Sequence, residues 1–443
     1  MKLVYTVEDR PKFGAVVVFA LQQLLAIMAA TIAVPNIIGN GMSPAAALFG
    51  AGIGTLVYLL FTKFRSPVFL GSSFAFLGSM FAAFGGAVSS AAGYAGLIIG
   101  AVFAGLVYVL LAVIVKVAGV NWINKLMPAV VIGPTVAIIG LSLAGNAIGD
   151  LTSGAVKTAE GASAASPYVC LICGLVTLFV TMICSVYGKK FLKMIPFIIG
   201  ILAGYALAAI FTVVGNTSGV EALKVINFAA FEQMSWVPAF TFVTALNGIA
   251  DITPSYIATI AVAYVPVAFV VFAEHIADHK NLSSIIERDL LKEPGLHRTL
   301  LGDGVGSMAG AFFGGCPNTT YGESVGCVAI SGNASVVTIL CTAVLAILVS
   351  FVAPFETFLS TIPPCVMGGV CVALYGFIAV SGLKMIQNVD LGDNRNLFVV
   401  SVILIAGIGG LVVSFGAVTI TSVACALILG IIANLILGAK KAD

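Results

Sequence analysis

Four acidic residues lie within or beside long apolar stretches of the chain, where an ionised side chain is costly to place. They are Glu274, Asp278, Asp303 and Glu323. A charged residue inside a membrane span costs roughly 2.5–3.5 kcal/mol on insertion scales, so such residues usually face a functional cavity. A carboxyl group in that setting can accept hydrogen bonds from a ligand or take up a proton. These residues are therefore the first candidates for chemistry.

Glu274 follows the apolar run VPVAFVVFA and opens the string EHIADH. Asp278 comes four residues later, so the two carboxyl groups can share one helix face. Two ionised carboxylates so placed repel each other, which suits a pair that takes up a proton. Asp278 and the neighbouring His279 also fit a helix end at the membrane surface, so both interpretations stay open for them. Asp303 can likewise be an interface residue or a partner behind the site.

Two short polar segments interrupt the apolar pattern. One is CPNTTYGES, which contains Glu323, and the other is LGSSFAF, which begins at Leu70. Small polar pairs in each segment, Ser72–Ser73 and Thr319–Thr320, predict short strands that lead into half-helices. The free N–H groups at the start of a half-helix attract polar ligands. Extended backbone at membrane depth is tolerated only where it is buried in protein or lines a cavity, so both segments are predicted to form a site.

The elements that must position these residues are membrane helices. The chain has 443 residues, of which 60% are hydrophobic and 9% are charged, and its mean hydropathy is +1.15. Soluble domains contain about 25% charged residues, and the apolar stretches here have the length of spanning helices. The composition therefore indicates an all-α polytopic membrane protein. About fourteen spans are predicted, at 13–35, 46–62, 67–84, 93–117, 126–148, 166–187, 191–214, 253–278, 298–315, 317–331, 334–354, 362–383, 396–416 and 418–438.

The basic residues predict the orientation of these spans. The chain has twenty Lys and Arg residues, and all but Lys157 and Lys224 fall on one side of the predicted bundle. The positive-inside rule identifies that side as the cytoplasm, so both termini are predicted to be cytoplasmic. The residues on that side are Lys2, Arg10, Lys12, Lys63, Arg65, Lys116, Lys125, Lys189, Lys190, Lys193, Lys280, Arg288, Lys292, Arg298, Lys384, Arg395, Lys440 and Lys441.

The two interrupted segments fall in the third and the tenth predicted span, each the third of seven. Because seven is odd, the second half enters the membrane from the opposite side, which predicts an inverted repeat. The predicted units are 1–215, an extracellular connection 216–252, and 253–443. Matched interrupted segments in two inverted halves indicate the midplane site of a transporter.

Other polar and small residues favour packing roles. Gln22 and Gln23 in the first span are buried amides that need partners, and we expect hydrogen bonds between helices. Glycines at every fourth position of the ninth span leave one face bare for close helix contact, and three glycines of the second span favour the same packing role. Cys170 and Cys173 form a CxxC string inside a span without further ligands, so we expect packing and no metal site. The glycines are Gly302, Gly306, Gly310 and Gly314 in the ninth span and Gly50, Gly52 and Gly54 in the second.

The sequence also excludes several functions. It contains no nucleotide-binding loop, metalloprotease string or nucleophile elbow, so we expect neither an enzyme nor an ATP-driven pump. A formal net charge of +2 gives no reason to expect a nucleic-acid partner. An active carrier of this kind must draw on an ion gradient. Because few basic residues lie within the spans, a neutral or weakly acidic substrate is expected.

Four strings together resemble the nucleobase–ascorbate (nucleobase–cation symporter) transporter family, and within it the bacterial uracil permease branch. They are LGSSFAF, AEH at Ala273 to His275, EPGLHR at Glu293 to Arg298, and PNTTYGES. The resemblance implies a core domain made of spans 1–4 and 8–11 and a gate domain made of spans 5–7 and 12–14. It also implies proton symport by alternating access, a homodimer in the lipid bilayer of the bacterial plasma membrane, and no cofactor besides the coupling proton.

The resemblance also assigns roles to residues. It places the substrate-binding acids at Glu274 and Glu323 and the backbone amide donors at Phe74 and Gly322, with Tyr321 beside the pocket. Uracil has two N–H donors and two carbonyl acceptors, which match carboxylates and amides respectively. Proton coupling then falls to Glu274, Glu323, Asp278 and His279, and supporting roles are expected for Gln23, Ser73, Asp303, Asn318 and Thr320.

Some alternatives remain at this point. Some close relatives have a histidine where this chain has Asp278, so the proton relay is open. Within the family, a xanthine or uric acid carrier is the main alternative, although the YGE string argues against it. A passive channel or an anion exchanger on the same fold belongs to a different class, and an anion exchanger would be expected to have a cationic site.

Overall fold

A computed structural model describes residues 3–119, 122, 128–158, 163–189, 192, 195–232, 234–415 and 418–438. Six of the basic residues used above to predict orientation lie outside these ranges: Lys2, Lys125, Lys190, Lys193, Lys440 and Lys441. Most of the described chain is α-helical, as the length and apolarity of the predicted spans require.

The first part of the chain contains eight helices and one short strand among its described residues. They are α1 (Phe13–Ile38), α2 (Pro44–Phe61), β1 (Leu70–Ser72), α3 (Leu77–Gly85), which follows a 3-10 turn at Phe74–Phe76, α4 (Ser90–Ala118), α5 (Ala129–Ser142), α6 (Ala144–Asp150), α7 (Pro167–Tyr187) and α8 (Pro196–Ser218). The predicted connection then contains the short helix α9 (Thr241–Leu246) and three 3-10 turns, at Glu221–Leu223, Phe228–Glu232 and Ile249–Asp251.

The second part, again among described residues, begins with the longest helix, α10 (Pro254–Ile286). The elements after it are α11 (Leu296–Gly314), β2 (Asn318–Thr320), α12 (Gly322–Ser331), α13 (Val336–Val349), α14 (Ala353–Ser360), α15 (Pro364–Met385), α16 (Asn394–Ile408), β3 (Val413–Phe415), β4 (Val418–Ile420) and α17 (Ser422–Gly438).

Helix starts follow local sequence signals. Ser43 precedes α2 and its side chain accepts a hydrogen bond from the Ala46 amide at 3.1 Å. Thr253 does the same for Tyr256 at the start of α10, at 3.2 Å. Each of these caps is followed by a proline at the first helical position, where the missing N–H costs nothing.

Within the described ranges, eight helices are long and apolar enough to cross a membrane, or nine if the bent pair α13 and α14 is one span. The protein is therefore an integral membrane protein. The count of fourteen stays a prediction, because several predicted spans correspond to shorter or more polar elements. The ten-residue α12, for example, spans only part of a bilayer.

Two boundaries predicted from apolarity alone were wrong. The predicted span 396–416 ends as a helix at Ile408, and an antiparallel strand pair, Val413–Phe415 with Val418–Ile420, follows. The predicted span 334–354 is helical only to Val349, and the chain then bends by 84° into α14. In both places the residues are apolar enough for a span, so hydropathy did not reveal the break.

The helices pack in two groups. In the first group α2 and α4 pack on α11, α4 packs on α10, and α13 packs on α1 and α2. In the second, α15 packs on α5 and α7, α7 on α8, and α16 on α5 and α17. Contacts between the groups are made mainly by α1 and α10. A cavity at this boundary is therefore shared by both.

The close packing predicted for the glycines of α2 and α11 is confirmed, and the structure shows that the two glycine faces contact each other. A Cβ built on Gly306 would lie 2.7 Å from the carbonyl oxygen of Gly54, and one built on Gly314 would lie 2.6 Å from that of Ala46. Real Cβ atoms do not approach backbone that closely, so only glycine permits this crossing. The close approach of α2 and α11 fixes the helices that precede β1 and β2.

The strands β1 and β2 pair antiparallel, with Leu70 opposite Thr320 and Ser72 opposite Asn318. The pairing confirms the two predicted strands and joins the two halves of the sequence at the centre of the first group. The Thr55 hydroxyl on α2 accepts from the Leu70 amide at 2.9 Å and donates to the Leu70 carbonyl at 3.2 Å. Backbone groups that the two-stranded sheet leaves open are thus satisfied inside the protein, as a membrane interior requires.

An N-terminal arm, residues 4–9, pairs with the loop after α12. The Val4 amide donates to the Gly332 carbonyl at 2.8 Å, and the Ala334 amide donates to the Tyr5 carbonyl at 2.9 Å. Val7 is buried beneath this contact. Glu8 forms an ion pair with Arg288 just beyond the end of α10. The arm therefore links the C-terminal ends of α10 and α12.

Candidate ligand-binding site

One cavity of about 370 Å³ lies between the two helix groups. From the first group it is lined by residues of the strand segments and α10, and from the second by residues of α5, α8 and α15. Eight of the residues predicted from sequence line this single cavity: Ser73, Phe74, Glu274, Asp278, Thr320, Tyr321, Gly322 and Glu323.

The two interrupted segments place helix starts at the cavity. Phe74 begins the 3-10 turn after β1, and Gly322 is the first residue of α12 after β2. The first N–H groups of a helix have no intrahelical partner and carry partial positive charge. A Cβ built on Gly322 would meet no atom within 4 Å. The backbone there is open to the cavity, and its amides are accessible to a ligand.

Three carboxyl groups line the same cavity. Glu274 and Asp278 come from α10, one turn apart on the same face, and Glu323 comes from the first turn of α12. The Thr320 hydroxyl donates a hydrogen bond of 2.9 Å to Asp278 Oδ2. Asp278 is thus held by the strand of the second half, while the two glutamates have space between them. The arrangement offers several hydrogen-bond acceptors to one small ligand.

Tyr321 is fixed against the first strand. Its hydroxyl donates to the Ser72 carbonyl at 2.7 Å, and a Cβ on Gly71 would collide with its ring. The glycine therefore leaves the space that the ring occupies. The side chain is 5% exposed, so it forms a rigid part of the cavity wall.

Gln23 lies outside the cavity and supports it. Its amide nitrogen on α1 donates to Ser324 Oγ at 2.5 Å, and the same Ser324 oxygen accepts from the Phe69 amide at 3.0 Å. One serine thus ties α1 and the residue before β1 to the first turn of α12. The expected hydrogen bond between helices is confirmed for Gln23.

Asn318 also lies outside this cavity. It is 1% exposed, and its amide nitrogen donates to the Gly50 carbonyl at 3.0 Å. This bond fastens β2 to α2.

A buried polar network lies behind α10. His275 Nδ1 is 2.6 Å from Asp303 Oδ2, and its Nε2 is 3.0 Å from the Thr299 hydroxyl. His279 Nε2 is 2.7 Å from the Tyr58 hydroxyl. Neither His279 nor Asp303 lines the large cavity. Asp303 is 1% exposed and occupies a position behind the site, one of the two alternatives that the sequence left open.

His275 was missed from the sequence as a positioning residue. Because His275 directly follows Glu274 in α10, the Glu274 side chain lies on the cavity face of the helix and the His275 side chain lies on its packed face. A histidine beside a candidate acid gives no signal of which face it occupies.

The second helix group supplies an apolar wall that sequence reasoning also missed. Its members are Val136, Ile139, Phe197, Leu374, Phe377, Ile378, Ser381 and Met385. Phe74 meets Tyr375 of α15 edge to face, with ring centres 5.9 Å apart. These side chains belong to ordinary apolar helices, and nothing in their spacing distinguishes a cavity face from a packed or lipid-facing one.

The residues that line the site are suited to recognising a small polar ligand. No group of three or more His, Cys, Asp or Glu side chains suited to a metal ion occurs among the described residues. Among the residues that the structure describes, neither Lys nor Arg lines the cavity. The arrangement combines carboxylate acceptors, helix-start amide donors and apolar walls, which is suited to a small flat polar ligand.

Solved structures share this fold. The transmembrane domain of the cyanobacterial bicarbonate transporter BicA matches with a TM-score of 0.65 over 97% of this chain and 99% of that chain, at 16% identity. The murine Solute Carrier 26 family member A9 anion transporter matches with a TM-score of 0.67 over 98% of this chain and 70% of that chain, at 11% identity. At these identities the likeness shows the fold alone, and it places the chain in the class of membrane proteins with this helical fold.

The sequence comparisons define the family. Residues 14–415 match the model of the permease family Xan_ur_permease. The uracil permease of Bacillus caldolyticus is 40% identical over 98% of this chain and 95% of its own length. That of Bacillus subtilis is 39% identical over 99% and 96%, and that of Escherichia coli is 36% identical over 97% and 93%. The chain therefore belongs to this permease family. Membership confirms the prediction that the protein is a transporter and not an enzyme.

Proposed function

We propose that the protein is a secondary active transporter that imports uracil, or a closely related nucleobase, together with protons. The relatives of highest identity cited above are named uracil permeases. The observation that carries the proposal is the single cavity where Glu274 and Glu323 meet the helix starts at Phe74 and Gly322. Carboxylates accept hydrogen bonds from the ring N–H groups, and backbone amides donate to the ring carbonyls. A site of this kind rejects analogues that leave its buried polar groups unpaired.

The walls of the cavity suit a flat ring. Phe74 and Tyr321 provide aromatic surface on the strand side, and α15 provides apolar side chains opposite. Because the described parts of the helix groups meet mainly at this cavity and through α1 and α10, we assign spans 1–4 and 8–11 to a core domain and spans 5–7 and 12–14 to a gate domain. Movement of one against the other exposes the cavity to each side in turn.

The described conformation faces the predicted cytoplasm. The cavity is lined by Ala277 and Asp278 in the C-terminal half of α10, by Ser381 and Met385 near the end of α15, and by Phe197 at the start of α8. All three positions lie toward the side that the positive-inside rule assigns to the cytoplasm. Phe74, which lines the cavity, contacts Tyr375 edge to face. The proposed membrane is the bacterial plasma membrane, with both termini cytoplasmic and a homodimer as the working assembly.

Proton coupling is assigned to the cavity carboxylates. Glu274 or Glu323 takes up a proton as substrate binds, and Asp278 with the adjacent His279 takes part in its transfer. No cofactor besides the coupling proton is required by this scheme. An anion exchanger is a weaker proposal, because the described lining of the cavity contains three carboxyl groups and no basic side chain.

The experiment that tests the proposal is uptake of radiolabelled uracil by proteoliposomes, with and without an imposed pH gradient. Competition by thymine, xanthine and guanine then defines the substrate range. We expect saturable uptake that is accelerated by an inward proton gradient and abolished by an uncoupler. Competition by xanthine alone would assign a purine substrate. Uptake that neither saturates nor responds to the gradient would reject a symporter.

A further inference from the structure

A second, much smaller cavity lies behind the ligand-binding site, between α4 and α11. It encloses about 10 Å³, which is close to the minimum space that holds one water molecule. Its polar lining residues are Tyr108 from α4, Asp303 and Ser307 from α11, and Asn318 and Thr319 from β2.

The cavity exists because two helix backbones meet closely beside it. A Cβ on Gly105 of α4 would lie 2.7 Å from the Gly304 carbonyl oxygen of α11, and one on Gly304 would lie 2.7 Å from Tyr108 Cβ. The glycines bring the helices together, and the tyrosine and the aspartate leave a small gap between them.

Two polar atoms of the residues that line this gap lack partners. The Tyr108 hydroxyl and Asp303 Oδ1 are both buried without a protein hydrogen-bond partner of ordinary geometry among the described residues, although the Thr320 amide lies close to the Asp303 carboxyl group. Tyr108 is 4% and Asp303 1% exposed. A buried polar atom without a partner destabilises the folded state, and native proteins usually satisfy such atoms with protein or ordered water.

We propose that this cavity binds one water molecule, which accepts a hydrogen bond from the Tyr108 hydroxyl and donates one to Asp303 Oδ1. The donor and the acceptor are complementary, because a phenol donates and a carboxylate oxygen accepts. Ser307, Asn318 and Thr319 offer further polar groups around the same space. Two to four polar partners are what a buried water needs.

The water completes a chain of hydrogen bonds through the first helix group. From Tyr108 the chain passes through the water to Asp303, whose other carboxylate oxygen holds His275, which in turn reaches Thr299. His275 is adjacent to Glu274 in α10. The water thus joins α4 to the helix that carries the candidate acids. This inference goes beyond the proposed function and does not depend on which substrate is carried.

The direct test is a structure of the wild-type protein in a lipid nanodisc at a resolution that shows buried waters. We expect one density peak within hydrogen-bond distance of both Tyr108 Oη and Asp303 Oδ1, unchanged when sodium in the buffer is replaced by choline. A peak that requires sodium would replace the water with a monovalent cation and overturn the proposal. Absence of a peak, with other buried waters visible, would overturn it as well.

A pair of tyrosine variants gives an independent test. Tyr264 also has a buried hydroxyl without a protein partner among the described residues, but it stacks on Phe76 and is not part of this cavity. Removing an unpaired hydroxyl is neutral or stabilising, whereas removing a water-bound one leaves a second group unpaired. We expect Tyr108→Phe to lower the thermal unfolding midpoint by several degrees and Tyr264→Phe to leave it unchanged or raise it. The same direction of change in both variants would overturn the water bridge. If Tyr108→Phe fails to fold, the wild-type density decides.

Discussion

The hydroxyl of Thr320 donates to Asp278 across 2.9 Å, and this bond joins a strand of one segment to the long helix that carries the candidate acids. Thr320 also pairs with Leu70 in the two-stranded sheet. A shift of Asp278 is therefore resisted by both interrupted segments. The geometry makes Thr320 a positioning residue for one carboxylate of the cavity.

We expect Thr320→Val to lower the uptake rate about ten-fold, because a hydrogen bond to a charged group contributes about 1.5–3 kcal/mol. Thr320→Ser keeps the donor and is the matched control, with uptake close to wild type. The measurement is initial uptake in proteoliposomes after normalisation for reconstituted protein. Equal loss in both variants would indicate that the methyl group, and not the hydroxyl, matters.

Glu274→Gln and Glu323→Gln separate proton coupling from binding. If one of these glutamates carries the proton, its glutamine variant should still exchange labelled for unlabelled uracil without a gradient. That variant should no longer accumulate uracil when a pH gradient is imposed. The variant of an acid that only binds should lose about ten-fold or more in both assays. Gradient-driven accumulation at the wild-type level in either variant would remove the proposed role of that glutamate.

Gly322→Ala places a methyl group into the open side of the cavity, since no atom lies within 4 Å of the position of its Cβ. The backbone of Gly322 does not have a positive φ, so alanine can adopt the same conformation and is compatible with the start of α12. We expect unchanged thermal stability and a KM for uracil raised about ten-fold, which corresponds to about 1.4 kcal/mol.

Gly326→Ala is the control for this variant. It lies one turn later in α12, also has open space at its Cβ, and does not line the cavity. Its KM should match wild type. A raised KM in both variants would point to a helix effect and not to contact with substrate.

The pH dependence of the N-terminal arm follows from Glu8. The hydrogen bond from Arg288 lowers the pKa of Glu8 from its ordinary value of 4.5. A carboxylate with a lowered folded-state pKa stabilises the fold above its unfolded pKa, and this contribution is lost as the pH falls through the folded value. We expect Glu8→Gln to be slightly less stable than wild type at pH 7, with a difference that vanishes in acid.

Thermal unfolding midpoints of wild type and Glu8→Gln between neutral pH and pH 3 measure this effect. Because the ion pair is exposed, high salt should also shrink the difference. Glu232→Gln, at an exposed carboxyl group in the connecting segment, is the control for the loss of one charge. A constant difference at all pH values would show that the arm depends on packing of Val7 and not on the ion pair.

Much of this architecture could be predicted because the membrane makes polar residues conspicuous. Glu274 and Glu323 stand out in apolar sequence, and Pro317 with Gly322 marks the break that exposes backbone amides. A short strand in each of LGSSFAF and CPNTTYGES was predicted from the polar pairs and the matched positions in two halves of the chain, whereas the pairing of the two strands was found only in the structure. These features depend on local chemistry, which sequence displays directly.

The rest depends on how distant helices meet. Phe377 and Met385 face the cavity only because α15 packs across it, and their residue types match those of lipid-facing positions. Tyr108 and Asp303 lie in different halves of the chain, and only the close approach of α4 and α11 brings them together. Hydropathy also continued through the break after Ile408, because a strand pair of apolar residues has the composition of a membrane helix.

The sheet formed by β1 and β2 constrains the order in which the protein can fold during synthesis. Tyr321 lies 249 residues after Ser72, the residue whose carbonyl it caps. During synthesis, β1 enters the membrane long before the ribosome has produced its partner strand. Its backbone groups must therefore rely on Thr55, on water or on a chaperone until β2 arrives. The ligand site can form only as one of the last steps of biogenesis, so a chain truncated before Asn318 should expose a polar defect that membrane quality control can recognise.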